Sequence, residues 1–398
     1  MQQHYDEATK KTMSRNIKIW RNSTRTKVKF RVLFDLEMEN PIGTLISKNI
    51  ILTKTQEVRS MSKTYNIAAL KGDGIGPEVS EATVKVLEAV EKKSNIKLNI
   101  LYGEAGAHCI PQFGTNLPKE TVELIKQTNA CLKGPMTTPE EPGAPVSVAV
   151  TLRRMFNLYA NVRPCRTFPN VESLKPNIDL VVVRENTEGM YSGMESVLSP
   201  GVGVALRIIT HEASLKVADF AFKLAMQRRK HLTYVHKGNI LRVTDGIFKD
   251  AVKEAQKNYP DVDVDDLHID AATMQLIKQP EKYDVMVTTN LFGDIISDEA
   301  AQVTGSLGLA AGANIGPSYG MFEPVHGSAP KYTGMNRVNP IATIMAGAMM
   351  LDYLGEKAAS KKIEDAVIAV LTEGKVRTPD LGGSAKGTEI TDSIVQKI

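Results

Sequence analysis

The stretch "MSKTYNIAALKGDGIGPE", residues 61–78, decides the fold class. "YNIAAL" is an apolar run of strand length, "GDGIGP" a turn, and 77–93 an amphipathic helix. Pro77 sits in the first turn of that helix, where a missing N–H costs nothing. The same alternation continues along the chain. "KLNILYGEAG" precedes a short helix at 118–129, and "ACLKGP" precedes one at 146–158. "DLVVVRENTEGMYSG" and "GVALRIIT" are strands before a long helix at 211–229. "HLTYVHKGNI" precedes a helix at 244–258, and "YDVMVTTNLFGD" runs from a buried strand into another helix. Strands interleaved with helices give an α/β class with a largely parallel sheet. The turn is not G-x-G-x-x-G, so the ordinary dinucleotide fingerprint is absent. Its glycines permit close backbone approach to an anion at the helix start; a plain strand–turn–helix joint is the competing reading.

Composition sets the outer bounds. The 398 residues are 42% hydrophobic and 24% charged, as in ordinary globular proteins, and the length suits two or three domains. A net charge of +4 argues against a broad nucleic-acid footprint but leaves room for local basic pockets. Three cysteines without metal-ligand spacing fit a reducing compartment, and no apolar run is long enough to span a bilayer. A cytoplasmic location is expected. Residues 1–60 stand apart, with twelve Lys/Arg against six acids and no clear period. The expectation for them is a disordered tail, or a start codon placed ahead of the real one at Met61; organellar targeting is the alternative. "LKGPMTTPEEPGAP" (132–145) reads as an active-site rim, and the Gly-rich 308–334 as a long binding loop.

Several clusters carry chemistry. In "NLFGDIISDEAAQ" (290–302), Asp294 and Asp298 lie four apart, on one helical face. Either that face is solvated, or a divalent cation turns the repulsion into shared attraction. Asp270 in "HIDAATMQLI" is a helix N-cap or a third carboxylate for the same ion. Arg153, Arg163 and Arg184 lie near Ser147, and Arg184 ends an apolar strand, with Tyr191 shortly after. Such arginines suit a polycarboxylate; ion pairs with Glu185 and Glu188 are the structural alternative. Lys237 in "YVHKGNI" is a candidate base or proton relay, while its neighbour His236 reads better as a satisfied structural histidine.

Eight words occur in one order across residues 67–398: "GDGIGPE", "LKGPMTTP", "LYANVRP", "RENTEGMYSG", "VHKGNI", "NLFGDIISD", "GANIG" and "FEPVHGSAPKY". Together they closely resemble the decarboxylating β-hydroxyacid dehydrogenases, the family of isocitrate, homoisocitrate and 3-isopropylmalate dehydrogenases. The resemblance implies a two-domain α/β fold that is not an ordinary Rossmann fold. A large cofactor-binding domain would comprise 61–158 and 306–398, and a small domain with the dimer interface and metal site 159–305. It implies a homodimer with active sites shared across the interface, no nucleic-acid or membrane partner, and Mg²⁺ or Mn²⁺ on Asp294 and Asp298, with Asp270 given by the neighbouring subunit. Tyr191 and Lys237, the latter also given across the dimer, match the proton-transfer pair, with Asp270 beside them. Arg153, Arg163 and Arg184 match carboxylate clamps, Ser147 a contact to the distal carboxylate, and Thr138 joins the substrate set. Cofactor positions fall on Glu323, His326, Gly327, Lys331, Tyr332, Val338 and Asn339.

The same resemblance bears on specificity. Ser147 and the "SVAVTLRR" word fit isocitrate or homoisocitrate better than isopropylmalate, whose isopropyl group needs an apolar pocket. Many isocitrate enzymes carry Asn two residues after this Ser, whereas Ala149 stands here, which leaves room for a longer substrate. Lys331 and Tyr332 match residues that bind the 2′-phosphate of NADP, a cation and a phenol beside a dianion. Pro379 and Gly383 stand where strongly NADP-preferring relatives supply Tyr and Arg, so NAD is the second expectation. Isocitrate and NADP are the readings carried forward. The alternative of a different class is a non-catalytic regulatory subunit, which would usually lack one of Tyr191, Lys237, Asp270, Asp294 or Asp298.

Overall fold

A computed structural model describes residues 62–398 apart from 142 and 306, together with the backbone of three strands nearer the N-terminus. Those strands, β1 (Ile19–Thr24), β2 (Lys27–Glu39) and β3 (Leu45–Lys54), form an antiparallel sheet within a unit separate from Lys63–Ile398. The expectation of disorder over 1–60 otherwise lies outside the described residues.

In the second unit the opening stretch forms β4 (Lys63–Leu70), a turn, and α1 (Gly76–Lys92) with Pro77 in its first turn. The rest follows as β5 (Ile96–Gly103), α2 (Ile110–Phe113), α3 (Lys119–Lys126), β6 (Ala130–Lys133), α4 (Val148–Met155), β7 (Ala160–Arg166) and β8 (Asp179–Glu185). A hairpin of β9 (Glu195–Ser199) and β10 (Val202–Ala205) precedes α5 (His211–Met226), β11 (His231–His236), α6 (Thr244–Gln256), β12 (Asp263–His268) and α7 (Ile269–Lys278). Then come β13 (Val285–Thr288), α8 (Asn290–Val303), β14 (Ala311–Ile315), β15 (Gly320–Pro324), α9 (Ile341–Tyr353), α10 (Lys357–Glu373) and α11 (Gly387–Lys397).

Ten strands make one sheet in the order β12-β11-β13-β8-β7-β14-β15-β6-β4-β5. Both flanks are parallel, as the strand–helix alternation requires, but the centre is not: β7 runs antiparallel to β8 and β14, and β14 to β15. The 308–334 segment is therefore not one long loop. β14 and β15 pair at the sheet's centre because "AGANI" and "GMFEP" are almost wholly buried, with mostly small or apolar residues and with Asn314 and Glu323 hydrogen-bonded to each other, which the Gly content had disguised. Likewise "GVALRIIT" is no core strand; it takes in the end of β10, which is exposed throughout, and a following segment of which only Ile209 is buried. Helix α9 is buried on nearly all sides, which explains its apolar sequence. No described helix is long and apolar enough to cross a membrane.

The turn after β4 is clamped from two sides. Asp73 N–H donates to the Pro135 carbonyl and Ile75 N–H to the Ser328 carbonyl, both at 2.9 Å. Gly74 has φ +61°, and a Cβ there would lie 2.1 Å from the Ser328 oxygen. Gly74→Ala should therefore lose about 1–3 kcal/mol from backbone strain, with more from the clash. Urea unfolding read by circular dichroism measures this; an unchanged midpoint would mean the turn is not held as described.

Candidate active site

Helix α8 presents Asp294 and Asp298 one turn apart on the same face. Asp294 accepts from the Tyr191 hydroxyl, from Arg184 and, at 3.2 Å, from Arg163. Arg163 also reaches Asp298 at 2.9 Å and the Ser297 hydroxyl at 2.7 Å. Arg184, at the end of β8 and 1% exposed, donates Nε and Nη2 to Asn290 at 3.0 and 2.7 Å. Its guanidinium lies 4.8 Å from the Tyr191 ring centre. Gly293 makes this approach possible, since a Cβ there would fall 2.6 Å from Arg184 Cγ. Burial, then the charge of Arg153, lowers Arg184 to about 10 although Asp294 opposes this. Burial pushes Asp294 up, but Arg184 and Arg163 outweigh it and hold the carboxyl low. Asp298 is raised, first by burial and further by the like charge of Asp294.

A second cluster adjoins the first. Glu323, on β15, accepts from Lys133 at 2.7 Å, Arg153 at 3.0 Å and the Asn314 amide at 2.8 Å. Burial raises its carboxyl, but Lys133 and Arg153 more than reverse this and the net shift is strongly downward. Glu185 and Glu188, the suspected partners of the arginines, instead accept from Thr187 and Thr210. A polar cavity of about 160 Å³ is bounded by Lys133, Arg153, Arg163 and Glu323, three cations against one carboxylate. Lys133 was not singled out from the sequence; the signal was a Lys ending a four-residue strand buried throughout.

His326 and Gly327 join this cavity to a larger cleft of about 820 Å³. Tyr332, Val338 and Asn339 line the cleft, as do Ile75 of the opening turn and Arg337. His326 Nε2 is buried without a hydrogen-bond partner, and burial lowers the ring's proton affinity. Lys331 is exposed and outside the lining, its ammonium 4.9 Å from the Tyr332 ring centre. Glu323 faces the arginine cavity and not this cleft. Ser147 holds the N-cap position of α4 without a capping side-chain bond, and Thr138 is exposed and lines neither cavity.

Lys237 and Asp270 lie elsewhere. Lys237 Nζ donates to Asp270 at 2.6 Å, its backbone N–H to Asp245 at 2.5 Å, and both side chains reach solvent. His236 is a satisfied buried histidine: it pairs with Asp266 at 2.7 Å and accepts the Gly238 N–H at 3.0 Å. Asp270 is not the cap of α7, since His268 holds that position, and among the described residues it forms no three-carboxylate group with Asp294 and Asp298.

Residues 66–397 match the isocitrate/isopropylmalate dehydrogenase family. The chain belongs to that family. A 3-isopropylmalate dehydrogenase of Saccharolobus solfataricus is 41% identical over 83% of this chain and 98% of its own length. An isocitrate/homoisocitrate dehydrogenase of Thermus thermophilus is 46% identical over 84% and 98%. The crystal structure of isocitrate dehydrogenase from Methylococcus capsulatus superposes with a TM-score of 0.79 at 43% identity, covering 84% of this chain and 99% of that one. The chain is thus a β-decarboxylating dehydrogenase by family, with the mixed α/β fold that goes with it.

The Glu323 cluster should dominate acid sensitivity. A depressed carboxyl contributes stability that is present above its unfolded pKa and lost on acidification, so stability should fall below about pH 4.3. Glu323→Gln leaves Lys133 and Arg153 buried without a counter-charge and should cost about 3–5 kcal/mol at neutral pH. Its acid limb should also be shallower than wild type. Denaturant titrations across pH test both; parallel acid limbs would reject the assignment.

Proposed function

We propose that this family member catalyses the metal-dependent oxidative decarboxylation of isocitrate to 2-oxoglutarate and CO₂, with NADP as preferred acceptor. The observation that carries the reading is the cation-rich cavity next to the long cleft, joined through His326 and Gly327. Three cations against Glu323 favour a substrate with several carboxylates over one with an apolar branch. Arg153, Arg163 and Arg184 bind and orient those carboxylates, and Ser147 contacts the distal one. Thr138 completes the rim.

Asp294 and Asp298 fit a divalent cation: both are hard oxygen donors, and burial plus mutual repulsion keeps Asp298 raised even with Arg163 beside it. With Asp270 from a second copy they would hold Mg²⁺ or Mn²⁺. The cation supplies Lewis acidity toward the substrate oxygens, and the nicotinamide supplies the hydride acceptor. Lys237, beside Asp270, moves the hydroxyl proton. Tyr191 reprotonates the carbon that loses CO₂, and its hydroxyl is already placed by Asp294 and Arg184. In the cleft, the partnerless His326 Nε2 and Asn339 take the adenine side, Gly327 and Val338 give the wall, and Lys331 and Tyr332 hold the 2′-phosphate. Glu323 positions Lys133 and Arg153 beneath.

A homodimer follows from the same reading. The β9–β10 hairpin exposes Val197 and Leu198 at 78% and 73%, and an isolated two-stranded hairpin is marginal in water. A second copy covers it and brings Lys237 and Asp270 to Tyr191. Homoisocitrate is the second reading, favoured by Ala149 in the first turn of α4. That all five of Tyr191, Lys237, Asp270, Asp294 and Asp298 are present weighs against a regulatory subunit.

Reduced-cofactor formation is the test. Turnover on isocitrate, better with NADP than NAD and abolished by chelator, is expected; turnover confined to homoisocitrate would reassign the substrate. Tyr191→Phe should lower kcat by about 10²–10⁴. Mixing and refolding Tyr191→Phe with Lys237→Met should restore part of the activity, because one site of each mixed dimer is intact. No recovery would reject a shared site.

A further inference from the structure

Away from this site, one group of ligand-type side chains has no part in the reaction. Glu104 follows β5, and His108 and Cys109 sit on a single 3₁₀ turn, Ala107–Cys109. His108 Nε2 lies 3.1 Å from Glu104 Oε2 and 3.4 Å from Cys109 Sγ. All three donor atoms fall within 4.8 Å of one another, and among the described residues no other His, Cys, Asp and Glu group of three is so placed. Bond lengths of about 2.0–2.1 Å to nitrogen, 2.3 Å to sulfur and 2.0–2.2 Å to oxygen put tetrahedral ligand atoms about 3.4–3.6 Å apart. The two separations from His108 Nε2, 3.1 and 3.4 Å, are close to that.

The other ring nitrogen is committed. His108 Nδ1 lies 2.7 Å from Asp73 Oδ1, and Asp73 also accepts the backbone N–H of Ala107, His108 and Thr137 at 2.9, 3.1 and 2.9 Å. Three backbone donors hold that carboxylate, so Nδ1 carries the proton shared with it. In the neutral ring the Nε2 lone pair faces Glu104 and Cys109. A carboxylate behind the imidazole is the arrangement that orients histidine ligands in metal sites. A protonated imidazole bridging Asp73 and Glu104 would explain two of these contacts. Cys109 Sγ, 3.4 Å from the same nitrogen, would then be a bystander, whereas a cation engages all three donors.

We propose that Glu104, His108 and Cys109 form a binding site for a borderline-soft divalent cation, Zn²⁺ by its donor set, separate from the aspartates of α8. One nitrogen, one thiolate and one carboxylate suit Zn²⁺, whereas Mg²⁺ and Mn²⁺ favour oxygen donors alone. Binding forms a metal–sulfur bond and releases the thiol proton to solvent; Glu104 and the exposed part of His108 leave the fourth position to water. No electron is transferred. Asp73 ties the site to the turn whose Ile75 lines the cofactor cleft.

Co²⁺ is the probe, added to the full chain with excess Mg²⁺ to occupy the carboxylate site. One Co²⁺ per chain should bind with a thiolate-to-cobalt charge-transfer band, and Zn²⁺ should displace it. The band should vanish in Cys109→Ser and survive in Cys165→Ser, and affinity should fall more than about tenfold in His108→Ala. Glu104→Gln, a surface change that leaves folding intact, should weaken binding while preserving the band. Wild type without the band, a band that survives Cys109→Ser, or an affinity unchanged in His108→Ala and Glu104→Gln would each overturn the proposal.

Discussion

Asn314 is wholly buried on β14, and its side chain is where three strands and a helix are tied together. Its oxygen accepts from Arg153, Asn161 and Asn186 at 2.9, 2.8 and 2.9 Å, and its amide donates to Glu323 at 2.8 Å. These partners come from α4, β7, the end of β8 and β15. In a parallel sheet, backbone pairing alone would set such neighbours; here the strand directions reverse at β7, β14 and β15. The buried network selects one register across that reversal, because an unmet amide or guanidinium there would cost several kcal/mol. Glu323 is the anion that lets Lys133 and Arg153 stay buried together.

The site inherits its charge from this arrangement. Arg163 spans both aspartates of α8 and leaves its Nε on Asn161, so its orientation is fixed from behind. Arg184 is fixed by Asn290 and covered by the Tyr191 ring. Such pairs add little net stability, since desolvation offsets much of the attraction. In the proposed reaction their value would lie in placing guanidiniums rigidly, so that little conformational freedom is lost when carboxylates bind.

Much of this was legible in the sequence because spacing and chemistry coincide. Asp294 and Asp298 are four apart on a real helix, and Arg184 does end a buried strand. The opening turn did lead into a helix with Pro77 in its first turn. What escaped were features whose partners are distant in the chain. Asn314 and Glu323 sat in a Gly-rich segment read as loop, and only pairing with β7 and β6 makes them central. Lys133 is separated from Glu323 by nearly half the chain, so neither residue signals the other locally. The exposed strand β10 lies in a run that reads as an ordinary strand because Val202 and Val204 alternate with Gly203 and Ala205; periodicity cannot say whether the apolar face meets its own chain.

That last ambiguity bears on catalysis. Lys237 and Asp270 are held to each other and to Asp245, at the carboxyl end of β11 and the start of α7. Tyr191, Asp294 and Asp298 are held to Arg163 and Arg184. Each half is fixed by its own contacts, and Asp270 does not join the α8 carboxylates within one chain. A flexible loop could bring two halves together only by losing the entropy of ordering it at each turnover. Two rigid halves contributed by two copies avoid that loss, since the interface orders them once. In the proposed assembly the exposed apolar hairpin and the incomplete metal site are therefore one constraint: the surface that drives association is what completes the chemistry.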